Sequence, residues 1–170
     1  MIVLKMLKGD KIILRIVKPS DATLLFLWES NVENRIITKS QSKISLFFIR
    51  ELIDNQMDIH LNHQLRFIIC LKDNMNTPIG TLDLYDVDFD SNESKIGVLI
   101  ADKKHRNKGF ADEALKLLVN YCKNELNILN LFSIIHAKNS ASIYLFEKNR
   151  FKEIKSIDNE KIYFLCLKKE

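Results

Sequence analysis

Apolar residues along this chain fall into two alternating rhythms, short β-branched runs and longer stretches at helical spacing. Lys11 to Val17, KIILRIV, is rich in β-branched residues and stops just before Pro19, which predicts a first strand ending where the chain must turn. Ser20 or Asp21 can then cap a helix whose broad apolar face runs from Leu24 to Trp28, ahead of Glu29 and Asn31. Ser45 to Ile53 predicts a second helix, with Leu46, Ile49, Leu52 and Ile53 at helical spacing. From Leu65 the rhythm shortens. RFIICL reads as a strand and TPIGTLDLYDVD, after the KDNMN turn, as its hairpin partner. Asp86 to Asn92 is expected to be an acidic loop, and Lys95 to Ala101 to return as a central, strongly apolar strand.

The second half repeats the alternation. Gly109 to Lys123 carries Phe110, Ala111, Ala114, Leu115, Leu118, Tyr121 and Cys122 on one side, an amphipathic helix fit to pack on a sheet. LFSIIHA follows as a strand, Ser140 to Lys148 as a short helix, and FKEIKSI with KIYFLCL as a closing hairpin turning at Asp158, Asn159 and Glu160. The order implies an α/β (α+β) domain with a mixed central sheet flanked by helices.

Composition narrows this picture. With 170 residues, 46% of them hydrophobic and 28% charged, the chain fits one globular domain over residues 1–170. The net charge of +4 suits an anionic ligand but falls short of a nucleic-acid-binding composition, so no nucleic-acid partner is expected. Cys70, Cys122 and Cys166 lie in apolar runs and read as reduced core thiols of a cytoplasmic protein. No apolar run is long enough for a membrane span, and Lys5 and Lys8 break the apolar N-terminus, so neither a membrane partner nor a secretion signal is expected. His60 and His63 lack a third ligand at metal spacing, and no metal is expected.

Candidate chemistry concentrates at one junction. The sequence has only four glycines, and Gly109 sits where a strand gives way to a helix. A tight turn through RNKGFA would leave several N–H groups unpaired at the positive end of the helix dipole, a ready phosphate site. Lys103, Lys104, His105, Arg106 and Lys108 surround it with positive charge. A solvated basic loop before an ordinary helix would have the same composition.

Arg106, Asn107, Lys108, Gly109, Phe110 and Ala111 resemble, in order, the acetyl-CoA loop of the GNAT superfamily: Gln or Arg, two variable residues, Gly, a variable residue, then Gly or Ala. HAKNSASIYLFEKNRFKE resembles a second superfamily segment, a strand, an Asn, a short helix and a terminal Phe. The resemblance covers nearly the whole chain and is closest to the polyamine acetyltransferases and the ribosomal-protein N-terminal acetyltransferases. It implies acetyl-CoA as cosubstrate, bound by the amides of Asn107 to Asp112, by the strand backbone of Leu99, Ile100 and Ala101, and by Asn139. It also implies an oxyanion donor near Leu99. Phe146 stands at the cofactor-side position where many relatives have a tyrosine that reprotonates the thiolate, and phenylalanine cannot do so. Tyr144, two residues earlier, is roughly 200° away round a helix. Arg150 replaces the glycine that normally precedes the aromatic at Phe151, which predicts a looser helix end.

Acyl transfer to an amine needs a base, a site for the cation and an oxyanion donor. Asp83 is the first candidate base, because a carboxylate in an apolar strand is costly unless it is paired or opens on a cleft. Pairing with a structural Arg or Lys is the other explanation. Glu29, Glu33 and Asp86 are candidate acceptor-binding residues, and His136 is a second candidate base. Ile96 lies near the position where polyamine-acetylating relatives tend to carry a glutamate. Three functions stay open at this point: acetyl transfer to a small diamine or polyamine, acetyl transfer to a protein N-terminus, and noncatalytic coenzyme A binding. Exposed sheet edges are candidates for self-association into a homo-oligomer.

Overall fold

The computed structural model describes residues 6–38, 45–55, 58–73 and 76–167. An eight-stranded mixed sheet dominates, in the order β1-β2-β3-β4-β5-β6-β8-β7. The strands are β1 (Leu7–Lys8), β2 (Ile12–Ile16), β3 (Leu65–Leu71), β4 (Pro78–Asp88), β5 (Glu93–Ile100), β6 (Asn130–His136), β7 (Lys152–Ile157) and β8 (Glu160–Cys166). The helices are α1 (Ala22–Ser30), α2 (Val32–Thr38), α3 (Leu46–Asn55), α4 (Ile59–Asn62), α5 (Phe110–Tyr121) and α6 (Ser140–Lys148). The mixed sheet with flanking helices is the architecture expected from the hydrophobic rhythm.

Three short elements are additions to that expectation. β1, α2 and α4 are too brief to show a period, and α4 is fixed instead by Asp58, whose Oδ1 accepts from His60 N–H at 2.9 Å. Asp86 to Asp88, read both as the end of the hairpin strand and as the start of an acidic loop, is strand: it belongs to β4, whose pairing with β5 continues through a bulge to Asp88 opposite Glu93. Cys70 and Cys122 are buried as expected, whereas Cys166, last residue of β8, is exposed.

Two apolar layers hold the sheet. One face meets α5 through Leu115 and Leu118 in a core that includes Leu14, Phe67, Leu82 and Ile96. The other packs Ile13, Ile68 and Cys70 against Leu25 of α1 and Ile49 and Ile53 of α3. Each fully buried Leu or Ile contributes roughly 1.5–3 kcal/mol. The sheet changes character at its middle. β5 and β6 are parallel, but their ladder covers only Glu93 to Lys95 opposite Asn130 to Phe132, although β5 runs on to Ile100 and β6 to His136. Beyond that point the strands part.

The helix end before Phe151 is not loose. Arg150 adopts φ 68°, Phe151 N–H reaches Phe146 C=O at 3.1 Å, and Arg150 N–H reaches Glu147 C=O at 2.9 Å. This is the closed C-terminus usually made with glycine, here imposed on arginine by the burial of Phe151 against Phe146.

Candidate active site

The parting of β5 and β6 exposes backbone. Ala101 N–H donates to Ile79 C=O at 2.9 Å, so in the antiparallel β4–β5 ladder Gly97, Leu99 and Ala101 direct their amide groups toward β4. By alternation Ile96, Val98 and Ile100 direct theirs toward the gap. Ile96 C=O is taken by Ser133 Oγ at 3.1 Å and Ile100 C=O by Arg106 Nε at 3.0 Å. Val98 is left facing the gap. The register therefore leaves the backbone amide groups of Val98, and not those of Leu99, toward the gap.

Two cavities open on either side of this gap, one of about 480 Å³ and one of about 630 Å³, and they share Ile37, Val98, Leu99, Asn139 and Ser142. The larger lies along the basic turn and α5. Its lining includes Leu99, Ile100, Arg106, Asn107, Gly109, Phe110, Ala111, Asp112 and Asn139, but not Ala101 or Lys108. Phe146 lines the smaller cavity instead, buried edge-on against Phe151.

The turn is built to leave amides free. Asp102 caps its first bend, accepting from Lys104 N–H at 3.1 Å, and Asn107 and Gly109 then take left-handed φ values of 59° and 84°. The first helical bond of α5 is Glu113 N–H to Gly109 C=O at 3.1 Å. Among the described residues no hydrogen bond is seen from the backbone N–H groups of Asn107 to Asp112. Six consecutive donors at a helix start fit a diphosphate. A Cβ placed on Gly109 would meet nothing within 4 Å, so the approach is open.

Arg106 behaves differently from the expected phosphate-facing cation. Its guanidinium turns back toward β5 and gives Nη2 to Asn34 Oδ1 at 2.8 Å. Asn34, buried on α2, also donates to Trp28 C=O at 3.0 Å, so α2 is riveted to the turn. Glu33 sits on the same side, 3.4 Å from Lys103 and 3.6 Å from Arg106, and does not line the smaller cavity. Asp112 is tied to α6 through Asn149 Nδ2 at 2.8 Å and Lys148 Nζ at 3.0 Å, and to Lys116 at 2.9 Å. Burial alone would raise its carboxyl, but these bonds hold it at about 2.

The smaller cavity collects the acidic candidates. Arg66 on β3 stands opposite Asp83 on β4, with Nε 2.5 Å from Oδ1 and Nη2 3.4 Å from Oδ2. A third nitrogen of Arg66 bonds the carboxylate of Glu29 on α1. Burial alone would lower the Arg66 guanidinium, but the two carboxylates more than offset it and raise it. Asp83 is raised, because burial outweighs its bonds to Arg66. Two carboxylates and one guanidinium leave the group with a net negative charge facing the cavity. Asp86 lines it too, at φ 49° beside the bulge, exposed and paired with Lys95 at 2.8 Å. Tyr85, pushed up to about 12 by burial, completes that wall. Ile96 is buried, and the carboxylates of this cavity come from β4 and α1.

His136 lines the cavity but does not present a base. Its Nδ1 accepts from Lys138 N–H at 3.1 Å, so the neutral ring carries its proton on Nε2 and keeps no free lone pair. Arg66, Asn34 and Tyr85 are the residues that the sequence reading missed. Arg66 had a signal, a lone cation in the apolar run LRFIICL that needed a partner, as Asp83 did.

This site and fold define an acyltransferase class, and sequence comparison agrees. The Acetyltransferase (GNAT) domain family matches residues 11–152, and the chain belongs to that family. It is an N-acetyltransferase by family, and acetyl-CoA is its cosubstrate. An uncharacterized N-acetyltransferase p20 of Bacillus licheniformis is 26% identical over 145 residues, 85% of this chain and 80% of that protein. In fold, the spermidine N-acetyltransferase of Vibrio cholerae, solved with CoA and spermine, is similar at TM-score 0.79 and 19% identity, covering 92% of this chain and 95% of that one. RimL, a ribosomal L7/L12 alpha-N-protein acetyltransferase, is similar at TM-score 0.78 and 14% identity, covering 96% and 94%.

Proposed function

We propose that this acetyltransferase transfers the acetyl group of acetyl-CoA directly to the primary amine of a small diamine or polyamine. The carrying observation is the Glu29–Arg66–Asp83 group, whose excess negative charge faces a cavity that meets the cofactor cavity at Val98 and Asn139. An ammonium is attracted there, and the apolar wall of Trp28, Leu52 and Val98 accommodates a methylene chain.

In this reading the free amides of Asn107 to Asp112 grip the pyrophosphate of the cosubstrate, and the Val98 backbone aligns its pantetheine arm as an added strand. Asp83, raised by burial, takes the ammonium proton on Oδ2, the oxygen held more weakly by Arg66. Glu29 keeps the cation in place, and Val98 N–H receives the developing oxyanion. The fold of RimL gives a second reading, in which a protein N-terminus occupies the same cavity. The Glu29–Arg66–Asp83 group favours the diamine, because both of its cationic ends are attracted to that net negative charge whereas a peptide N-terminus brings one.

The test is a mass-detected screen of acetyl-CoA with diamines, polyamines, amino sugars and N-terminal peptides. Acetylated diamine at the highest kcat/KM supports the proposal, and a preference for peptides replaces it with the second reading. Asp83→Asn is expected to lower kcat about 100-fold or more. Glu29→Gln is expected to act mainly on the KM of the amine.

A further inference from the structure

We propose that Arg106 is a positioning residue for the amine, fixing the acceptor wall through Asn34 and so setting which amines the cavity takes. This rests on the amine-acetylating reading above and adds a determinant of its selectivity. A seven-residue helix such as α2 is too short to be stable on its own hydrogen bonds and needs support from outside. Apolar packing supplies little of it. Among the described residues neither apolar layer includes a residue of α2, and Val32 and Ile36 are each 71% exposed. The buried residue of this helix is the polar Asn34.

Asn34 ties α2 to both α1 and β5. Its Nδ2 donates to Trp28 C=O in the last turn of α1 at 3.0 Å, and its Oδ1 accepts from Arg106 Nη2 at 2.8 Å. Arg106 is itself held at the end of β5, donating from Nε to Ile100 C=O at 3.0 Å and from Nη2 to Ala101 C=O at 3.4 Å. One planar, rigid guanidinium therefore spans from strand to helix. The contacts of Glu33 with Lys103 and Arg106 lie on the exposed side, where solvent screens them. The buried amide is the stronger fastening.

What it fastens is the acceptor wall. Asn34, Ile37 and Thr38 line the smaller cavity, and Ile37 reaches the larger one as well. Trp28 and Glu29 at the end of α1 line the same smaller cavity, with Glu29 bonded to Arg66. The Arg106–Asn34 bond thus ties this wall to β5, whose Val98 lines both cavities. A wall held in place fits one length of amine with its cationic end against Glu29 and Asp83, whereas a wall that moves admits several lengths and gains less from each. The guanidinium acts through Asn34, even though the residue also lines the cofactor cavity.

Acetylation by the full chain is measured for Asn34→Ala, Arg106→Lys and the double variant with a series of α,ω-diamines of increasing length, alongside acetyl-CoA calorimetry and hydrogen exchange over Val32–Thr38. Lysine keeps the charge but not the fork. Each single variant is expected to raise the KM of the preferred diamine about tenfold, keep kcat within about threefold of the parent, and flatten the spread of kcat/KM across the series. The double variant should be no worse than Asn34→Ala alone, because that variant has already lost the bond. Acetyl-CoA affinity should stay within about threefold, and the α2 amides should exchange about tenfold faster. An amine KM and length preference equal to the parent's overturn the proposal, as do additive defects in the double variant or unchanged exchange. A rise in the acetyl-CoA Kd of Arg106→Lys that matches its amine defect assigns the guanidinium to the cofactor and overturns it too. If the parent acetylates peptides and no diamine, the diamine reading fails, and a peptide KM raised by the same variants sustains the role of Arg106. No turnover with any acceptor sinks the acyl-transfer reading and this proposal with it.

Discussion

Ser133 Oγ on β6 donates to Ile96 C=O on β5 at 3.1 Å, just past the point where their parallel ladder ends. Both residues are buried, so this bond satisfies a carbonyl that the departing strand would otherwise orphan. Ser133→Ala is expected to cost about 1–3 kcal/mol, the penalty of an unpaired buried acceptor. Urea denaturation of both proteins measures it. An unchanged midpoint would mean that water reaches Ile96 C=O from the cavity.

The cofactor turn yields a second prediction. Gly109 holds φ 84° with open space around its Cα, so Gly109→Ala meets no steric clash in the folded chain. It still forces a side chain into the left-handed region, costing about 1 kcal/mol. In the function proposed above, the new methyl stands in the open space beside the turn amides that would receive the diphosphate. A rise in KM for acetyl-CoA well beyond the loss of stability is expected, with kcat at saturation largely retained.

Arg150 shows the reverse case. At φ 68° it occupies a glycine conformation, and Phe151 N–H to Phe146 C=O closes the helix at 3.1 Å. Arg150→Gly relieves the left-handed strain and returns part of the gain through the freer unfolded chain, for a net stabilisation of about 0.5–1 kcal/mol. A thermal melt reads the sign directly, and a lower Tm contradicts it.

These cases separate what the sequence discloses from what it hides. The long periodic elements and the Gly109 turn are legible because each rests on a local rule about spacing or backbone freedom. Asp83 was legible as an anomaly, but its neighbours were not, since Arg66 and Glu29 are 17 and 54 residues away and meet it only through β3–β4 register and the docking of α1. Arg106 belongs to the basic cluster that the sequence places around a phosphate site, yet its direction depends on Asn34 in α2, a helix too short to show a period. The shift from Leu99 to Val98 follows from which edge of β5 pairs with β4, and a one-residue change in pairing reverses it.

Among the described residues, one buried side-chain polar atom is unmet. Tyr121 OH is buried without a hydrogen-bond partner, its ring edge-on to Phe67, and burial pushes the phenol up to about 12. Tyr121→Phe removes that hydroxyl and keeps the ring. Stability is therefore expected to stay level or rise by up to about 1 kcal/mol. A loss beyond that range, measured by denaturant midpoint, would reveal a partner such as a buried water.

Asp112 supplies a pH dependence with a defined sign. Burial would raise its carboxyl, but bonds from Lys116, Asn149 and Lys148 hold it at about 2, below the ordinary 3.8. A carboxyl depressed on folding adds stability that is complete above its unfolded value and is lost as pH falls from about 4 toward 2. Solvent screens much of the interaction, so its contribution near neutral pH is on the order of 1 kcal/mol. Because Asp112 joins the start of α5 to the end of α6, that contribution also keeps the free amides of the turn set against Asn139. Other carboxylates titrate in the same range, so the informative quantity is the difference between the parent and Asp112→Asn. That difference in unfolding free energy should be present at pH 5 and shrink steadily toward pH 2.5. A difference that stays constant with pH would show that geometry, and not charge, holds the two helices together.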